Sequence, residues 1–170
     1  IRLPISSQIL AADDLAKLRA VPGVEALSAA LLLWEFDRGG FRTIMGVDLA
    51  QPSLGPVRVK DWLAKGRFPD REGEVVLEKH YAKFHQTQLD DAVAIGGRSF
   101  KVVGLLEIKE GSQIAAANIY LPLADAQALL EKGAGSVNTV YLRLKDPSLL
   151  DRIKVEILQG LPSVSVASSD

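Results

Sequence analysis

Residues Asp90 to Leu106 read DDAVAIGGRSFKVVGLL, and this stretch decides the fold. Two apolar runs flank Gly96-Gly97. Paired glycines adopt positive φ without a Cβ clash, so the stretch predicts a tight hairpin turning at that pair. On the return strand, alternation puts Phe100, Val102 and Gly104 on one face and Lys101, Val103 and Leu105 on the other. Its Val-Val-Gly-Leu-Leu end carries no polar side chain, which predicts burial on both faces. Nothing in this hairpin has the chemistry of a catalyst.

The bounds set by composition agree with a folded domain. The chain has 170 residues, 48% of them hydrophobic. That length buries one good core, or two small lobes sharing a chain. A net charge of −1 gives no general attraction to nucleic acid or anionic lipid. Without cysteine there is neither a disulfide framework nor a thiolate metal site. The sequence opens on Ile1, as a processed product or an excised piece does, and no signal-peptide pattern follows. The least polar long run, Ile114 to Leu130, is interrupted by Asn118, Pro122, Asp125 and Gln127. It falls short of the ~20 apolar residues that span a bilayer, so the piece is expected to be soluble.

Outward from the hairpin, the elements follow in order. Ser6 to Ala20 reads as a helix with Asp13 and Asp14 early in it, stopped by Pro22-Gly23. Val24 to Phe36 is a strand with Leu32, Trp34 and Phe36 on one face and Leu31, Leu33, Glu35 and Asp37 on the other. Phe41 to Asp48 returns. Two registers fit: Asp37 opposite Arg42, or Phe36 opposite Phe41. Lys60 to Lys65 reads as a short helix, Glu74 to Leu77 as a strand, and Glu78 to Phe84 as a helix. Lys109 to Ala117 is loop. Asn118 to Leu121 is a strand broken by Pro122, and Ala124 to Lys132 is a helix. Val137 to Lys145 is a strand. Asp146-Pro147 opens a helix through Leu158, with Leu149, Ile153, Ile157 and Leu158 as its apolar stripe. Ser163 to Ala167 closes as a strand. The helix–Pro–strand pattern recurs at both ends of the chain. This predicts an α+β fold of two lobes: residues 1–50 with 118–170 as a layered α/β lobe with its helices on one face, and 51–117 as an inserted strand-rich lobe with a short helix.

Candidate chemistry is sparse. His80 and His85 are five apart, and helical metal pairs need three or four, so no metal site is expected. Glu72, Glu74, Glu78, Asp90 and Asp91 fit turns and helix starts better than a paired-carboxylate site. No serine sits in a Gly-x-Ser-x-Gly elbow, and neither glycine pair forms a phosphate-cradling loop. No catalytic residue, cofactor or nucleic-acid partner is expected. Trp34, Phe36 and Phe41 near a hairpin tip have two readings: filling the core between sheet and helix, or anchoring a partner with Arg38 at the turn, since aromatics and Arg dominate binding hot spots. The loop from Lys109 to Ala117 is a second candidate contact, its plainer reading being a flexible connection.

The motifs also form an ordered series. Val21-Pro22-Gly23-Val24 comes first, then Met45-Gly46-Val47-Asp48, Gly66-Arg67-Phe68 and Glu74-Val75-Val76-Leu77. The hairpin Val93 to Gly104 follows with its Phe-x-Val-Val-Gly ending. Ile119-Tyr120-Leu121-Pro122-Leu123-x-x-Ala126-Gln127, Leu144-Lys145-Asp146-Pro147 and Leu161-Pro162 complete it. Over nearly the whole chain this resembles the extracytoplasmic core domain of bacterial ABC-transporter permeases of the MacB and FtsX-like type, which includes the lipoprotein-releasing permeases. The resemblance implies a periplasmic domain of an inner-membrane protein, lying between the first and second transmembrane helices. One apolar span of ~20 residues is then expected before Ile1, and three after Asp170. It implies a porter-like outer lobe, an ABC ATPase on a separate subunit or domain, a second permease copy in a dimer, and a periplasmic adaptor as a possible partner. The excised domain is expected to be a monomer and a mechanical and docking element, not an enzyme. Two departures stand out. The Gly96-Gly97-Arg98-Ser99 turn lacks the long protrusion of the lipoprotein-releasing branch, which favours MacB-like export. Gln88-Leu89-Asp90-Asp91 stands where Gly-Asp is common. The alternatives are a free-standing peptide- or lipid-binding module, and a hydrolase of unrecognised type.

Overall fold

The computed structural model describes residues 2–4, 10–37, 40–51, 54–108, 117–130 and 137–161. Among these residues nine strands form one mixed sheet: β1 (Arg2–Pro4), β2 (Val24–Asp37), β3 (Gly40–Val47), β4 (Leu63–Gly66), β5 (Glu74–Glu78), β6 (Ala92–Ile95), β7 (Arg98–Leu106), β8 (Ile119–Pro122) and β9 (Thr139–Leu144). Four α-helices accompany them: α1 (Ala12–Arg19), α2 (Lys79–Phe84), α3 (Leu123–Ala128) and α4 (Leu150–Gly160). The sheet runs β1-β2-β3-β8-β5-β7-β4, with β9 also on β2 and β6 also on β7.

The opening hairpin forms as its glycines predict. Ile95 pairs with Arg98, leaving only Gly96 and Gly97 in the turn, at φ +59° and +79°. β7 is the hub of its half of the sheet, pairing with β6, with β5 in parallel and with β4. Its second half is buried on both faces: Val102 packs in one core cluster, Val103 and Leu106 in the other. The simple alternation fails at Leu105, which joins Phe100 and Val102. A register shift where β5 meets β7 inserts a bulge, and a bulge reverses the facing of the residues beyond it.

All four α-helices lie on one face. Leu31, Leu33, Ile44, Val75, Leu77, Phe100, Val102, Ile119 and Leu121 meet Ala82 of α2 and Ala126 of α3 there. Leu27 on that face meets Leu18, Ile153 and Ile157 of α1 and α4. On the opposite face, Ala30, Met45, Val47, Val76, Val103 and Tyr120 pack against Val57 and Val59 of a 3-10 segment, Gly55–Trp62. β8 joins the two halves predicted from sequence: it pairs in parallel with β3 and antiparallel with β5.

β2 is long enough that two strands share its outer edge. β9 pairs with it up to Ala30, and β1 from Leu33 to Glu35. Between them the Asn138 amide both accepts from Leu32 N–H (2.8 Å) and donates to Leu32 C=O (2.8 Å), imitating a strand.

Three expectations change. Lys60 to Lys65 is not a helix. Pro56, pre-set for a first turn, starts the 3-10 segment earlier, and Leu63–Gly66 is drawn onto β7 as a strand. Pro122 ends β8 opposite Val47 without breaking it, at a terminus where its missing N–H costs no ladder bond. Leu158 is 43% exposed, and the buried stripe of α4 is Ile153 and Ile157. The predicted strand Ser163 to Ala167, and the loop from Lys109 except for Ala117, lie outside the described residues.

Candidate functional site

The β2–β3 hairpin carries the four residues singled out as a contact. Phe36 pairs with Phe41 and Asp37 with Gly40, so Arg42 faces Glu35, not Asp37. Gly40 sits at φ +103°, a conformation costly for other residues. Arg38 lies outside the described residues. Trp34, Phe36 and Phe41 share one face and touch one another. Ring centroids are 5.7 Å apart for Trp34–Phe36, 5.8 Å for Trp34–Phe41 and 5.4 Å for Phe36–Phe41. The core-filling reading fails for the two phenylalanines, which are 55% and 54% exposed, while Trp34 is half-buried. On that face the 3-10 segment packs against Ala30, Met45 and Val47, and neither phenylalanine belongs to the cluster it buries.

The other face of the same tip is polar and buried. Arg42 forms an ion pair with Glu35, its Nε donating to Oε1 at 3.1 Å. Its Nη1 donates to the Tyr81 hydroxyl of α2 (3.3 Å) and its Nη2 to the Ala94 carbonyl of β6 (2.7 Å). Burial works against the guanidinium charge, but Tyr81 and Glu35 outweigh it and hold the pKa above its usual value. Arg42 thus ties the hairpin to the 51–117 segment.

The sequence motifs prove to be close approaches. A Cβ on Gly46 would lie 2.4 Å from Ala126 Cβ, so Met-Gly-Val-Asp and Leu-x-x-Ala describe one β3–α3 contact. A Cβ on Gly66 would lie 2.2 Å from the Val103 carbonyl, and one on Gly104 2.3 Å from that of Arg67. Arg67 forms an ion pair with Glu74, with Nη1 at 2.9 Å from Oε1. Arg67, helped by the Asp70 N–H, holds the Glu74 carboxyl down at about 2. No periodicity reveals that pairing; the signal was the adjacency of the two motifs.

The titratable candidates are dispersed. Glu78 caps α2, accepting from Tyr81 N–H (2.9 Å), with His80 Nδ1 2.8 Å from its other oxygen. The His85 ring packs against Tyr81 at a tilt, with centroids 4.3 Å apart. Asp90 pairs with Lys101, and Asp91 accepts from Gln88 N–H. Asp90 sits at φ +71°, so an aspartate holds here the left-handed backbone that glycine would adopt more freely. Among the described residues no group of three or more His, Cys, Asp or Glu is arranged to hold a metal ion, and no helix is long and apolar enough to cross a membrane.

Comparison with known proteins places this architecture. The chain is similar to the extracellular domain of the ABC-type transporter YknZ from Gram-positive bacteria: TM-score 0.64, 19% identity, 92% of this chain and 84% of that one. It is similar to the periplasmic region of MacB from Actinobacillus actinomycetemcomitans: TM-score 0.56, 16% identity, 89% and 74% covered. A domain of a permease protein from Porphyromonas gingivalis aligns at TM-score 0.52 and 17% identity, covering 91% and 72%. No curated protein matches the sequence. At these identities the structures establish the fold alone. The model of the MacB-like periplasmic core domain matches residues 4–159. The chain belongs to that family, the extracytoplasmic part of a MacB-like ABC-transporter permease.

Proposed function

We propose that this domain is a lever of the permease. ATP hydrolysis on a cytoplasmic subunit or domain moves it through the membrane part of the protein, and it carries that movement to a partner or substrate in export. The observation that supports this is the continuous sheet: β8 hydrogen-bonds β3 on one side and β5 on the other. Residues 1–50 with 118–170, and 51–117, therefore share one backbone ladder, and Arg42 adds a side-chain tie between them. A close-packed body of this kind passes on a displacement with little internal yielding.

In this reading the permease works as a dimer in the inner membrane, a periplasmic adaptor is a docking partner, and the Trp34, Phe36 and Phe41 tip with Arg38 is the contact element. The test uses the full-length permease with its ATPase. Replacing the domain by a flexible Gly/Ser linker is expected to leave ATP hydrolysis running while export stops. Export that continued without the domain would defeat the lever reading.

A further inference from the structure

Asp125 is a buried acid, 1% exposed. It sits in the first turn of α3, where an acidic side chain commonly reaches back to the N-cap N–H. The N-cap here is Pro122, which has none. The side chain reaches across to the 51–117 segment instead. Its Oδ2 accepts from Gly73 N–H (2.9 Å), in the turn before β5. Its Oδ1 is 3.2 Å from Nη2 of Arg98, the first residue of β7. Both partners are held in turn. The Gly73 carbonyl accepts from Lys101 N–H (2.9 Å). The Arg98 guanidinium lies over the buried Phe100 ring, 5.0 Å from its centroid. The next residue of α3, Ala126, makes the close approach to Gly46 of β3 described above. Neighbouring residues of one short helix thus hold the two segments, one each.

The seam in the sheet needs this second hold. β8 and β5 meet at two residue pairs, Val76–Tyr120 and Leu77–Ile119. So short a ladder resists sliding but lets the sheet flex along the seam. A tie on the helix face, off the plane of the sheet, opposes that flexing. A buried carboxylate is tolerated only while it is paired and hydrogen-bonded, so any parting of the two segments strands its charge. From this geometry we infer that Asp125 is a positioning residue of the lever. It pins the 51–117 segment to the rest, so that a displacement given to one reaches the other undiminished. The inference deepens the lever reading and rests on it.

The test uses the full-length permease with its ATPase in nanodiscs. Nitroxides are attached at Phe84→Cys and Val155→Cys in one copy, at exposed positions on α2 and α4. Pulsed electron spin resonance reads the distribution of their separation, which a residue that only adds stability would leave unchanged in the folded protein. Asp125→Asn keeps the shape of the side chain and drops its charge. Arg98→Gln alters only the half-exposed partner, so it serves where the first variant folds poorly. Either is expected to broaden the distribution about twofold. Arg71→Gln, whose 3.3 Å contact with Asp70 stays within one turn, is expected to leave it as it was. An unchanged width in both variants overturns the pin alone. A single nitroxide at Val155→Cys in each copy reads the movement of the domains. A separation between copies that stays the same under ATP with vanadate overturns the lever reading, whatever the variants do.

Discussion

A methyl group on Gly46 would lie 2.4 Å from the Cβ of Ala126, closer than two carbon atoms pack. The same position is 3.3 Å from the Leu123 Cα, so helix α3 itself must retreat. Gly46→Ala is expected to cost about 1–3 kcal/mol, in the range of overpacked cores. Urea unfolding measures it, and an unchanged midpoint would mean that α3 does not seat on β3 this closely.

Arg42 and Glu35 should behave as a buried couple. Removing one partner strands the other's charge, so Arg42→Met or Glu35→Leu alone is expected to cost about 3–5 kcal/mol. The double variant is expected to cost less than the sum. A double-mutant cycle by urea unfolding reads the coupling; additive losses would mean the pair is not a unit.

Glu74 gives a pH dependence of known sign. Its folded pKa, about 2, lies below the ordinary 4.5, so the ionised form is what the fold favours. The stability it adds is complete above about pH 4.5 and is lost as the pH falls toward 2. The gap in urea midpoint between the native protein and Glu74→Gln should therefore be constant near neutrality and close below pH 4.5. A gap independent of pH down to 3 would contradict the Arg67 pairing.

The tip phenylalanines should be dispensable for folding. Because Phe36 and Phe41 are more than half exposed, Phe36→Ser with Phe41→Ser is expected to shift stability by no more than about 1 kcal/mol. Thermal melting checks this. A large loss would return the rings to a structural role.

Catalysis by this domain is testable through its titratable groups. Replacing His80, His85 and Asp91 by alanine together is expected to leave export by the full-length permease at its normal rate. Lost export in a variant that still folds would revive a hydrolytic reading.

What the sequence disclosed came from periodicity and turn chemistry. Gly96-Gly97 announced its hairpin because two glycines readily take the positive φ values that a tight two-residue loop needs. Leu31 and Leu33 share a face as their alternation indicated, and packing alone shows that it is the helix face. The failures lie where a distant contact overrides a local rule. Leu105 changes face because β5 meets β7 with a bulge, and Leu63–Gly66 extends because β7 offers it an edge. The contact candidates Trp34, Phe36 and Phe41 were visible as residues, but their exposure was not. It depends on how far along that face the 3-10 segment Gly55–Trp62 packs, a tertiary contact that no local pattern sets. The Arg42 tie to Tyr81 and Ala94 was equally out of reach, since neither partner is set by local pattern.

The Asn138 side chain has a further effect. With the rungs at Ala30 met by Asn138 N–H, at Leu32 by its amide, and at Trp34 by the first strand, the rim of the longest strand is sealed from Ala30 to Trp34. An unsealed step there would be a template on which a stray extended chain could nucleate. One asparagine thus guards the domain against aggregation at the seam between two short neighbours.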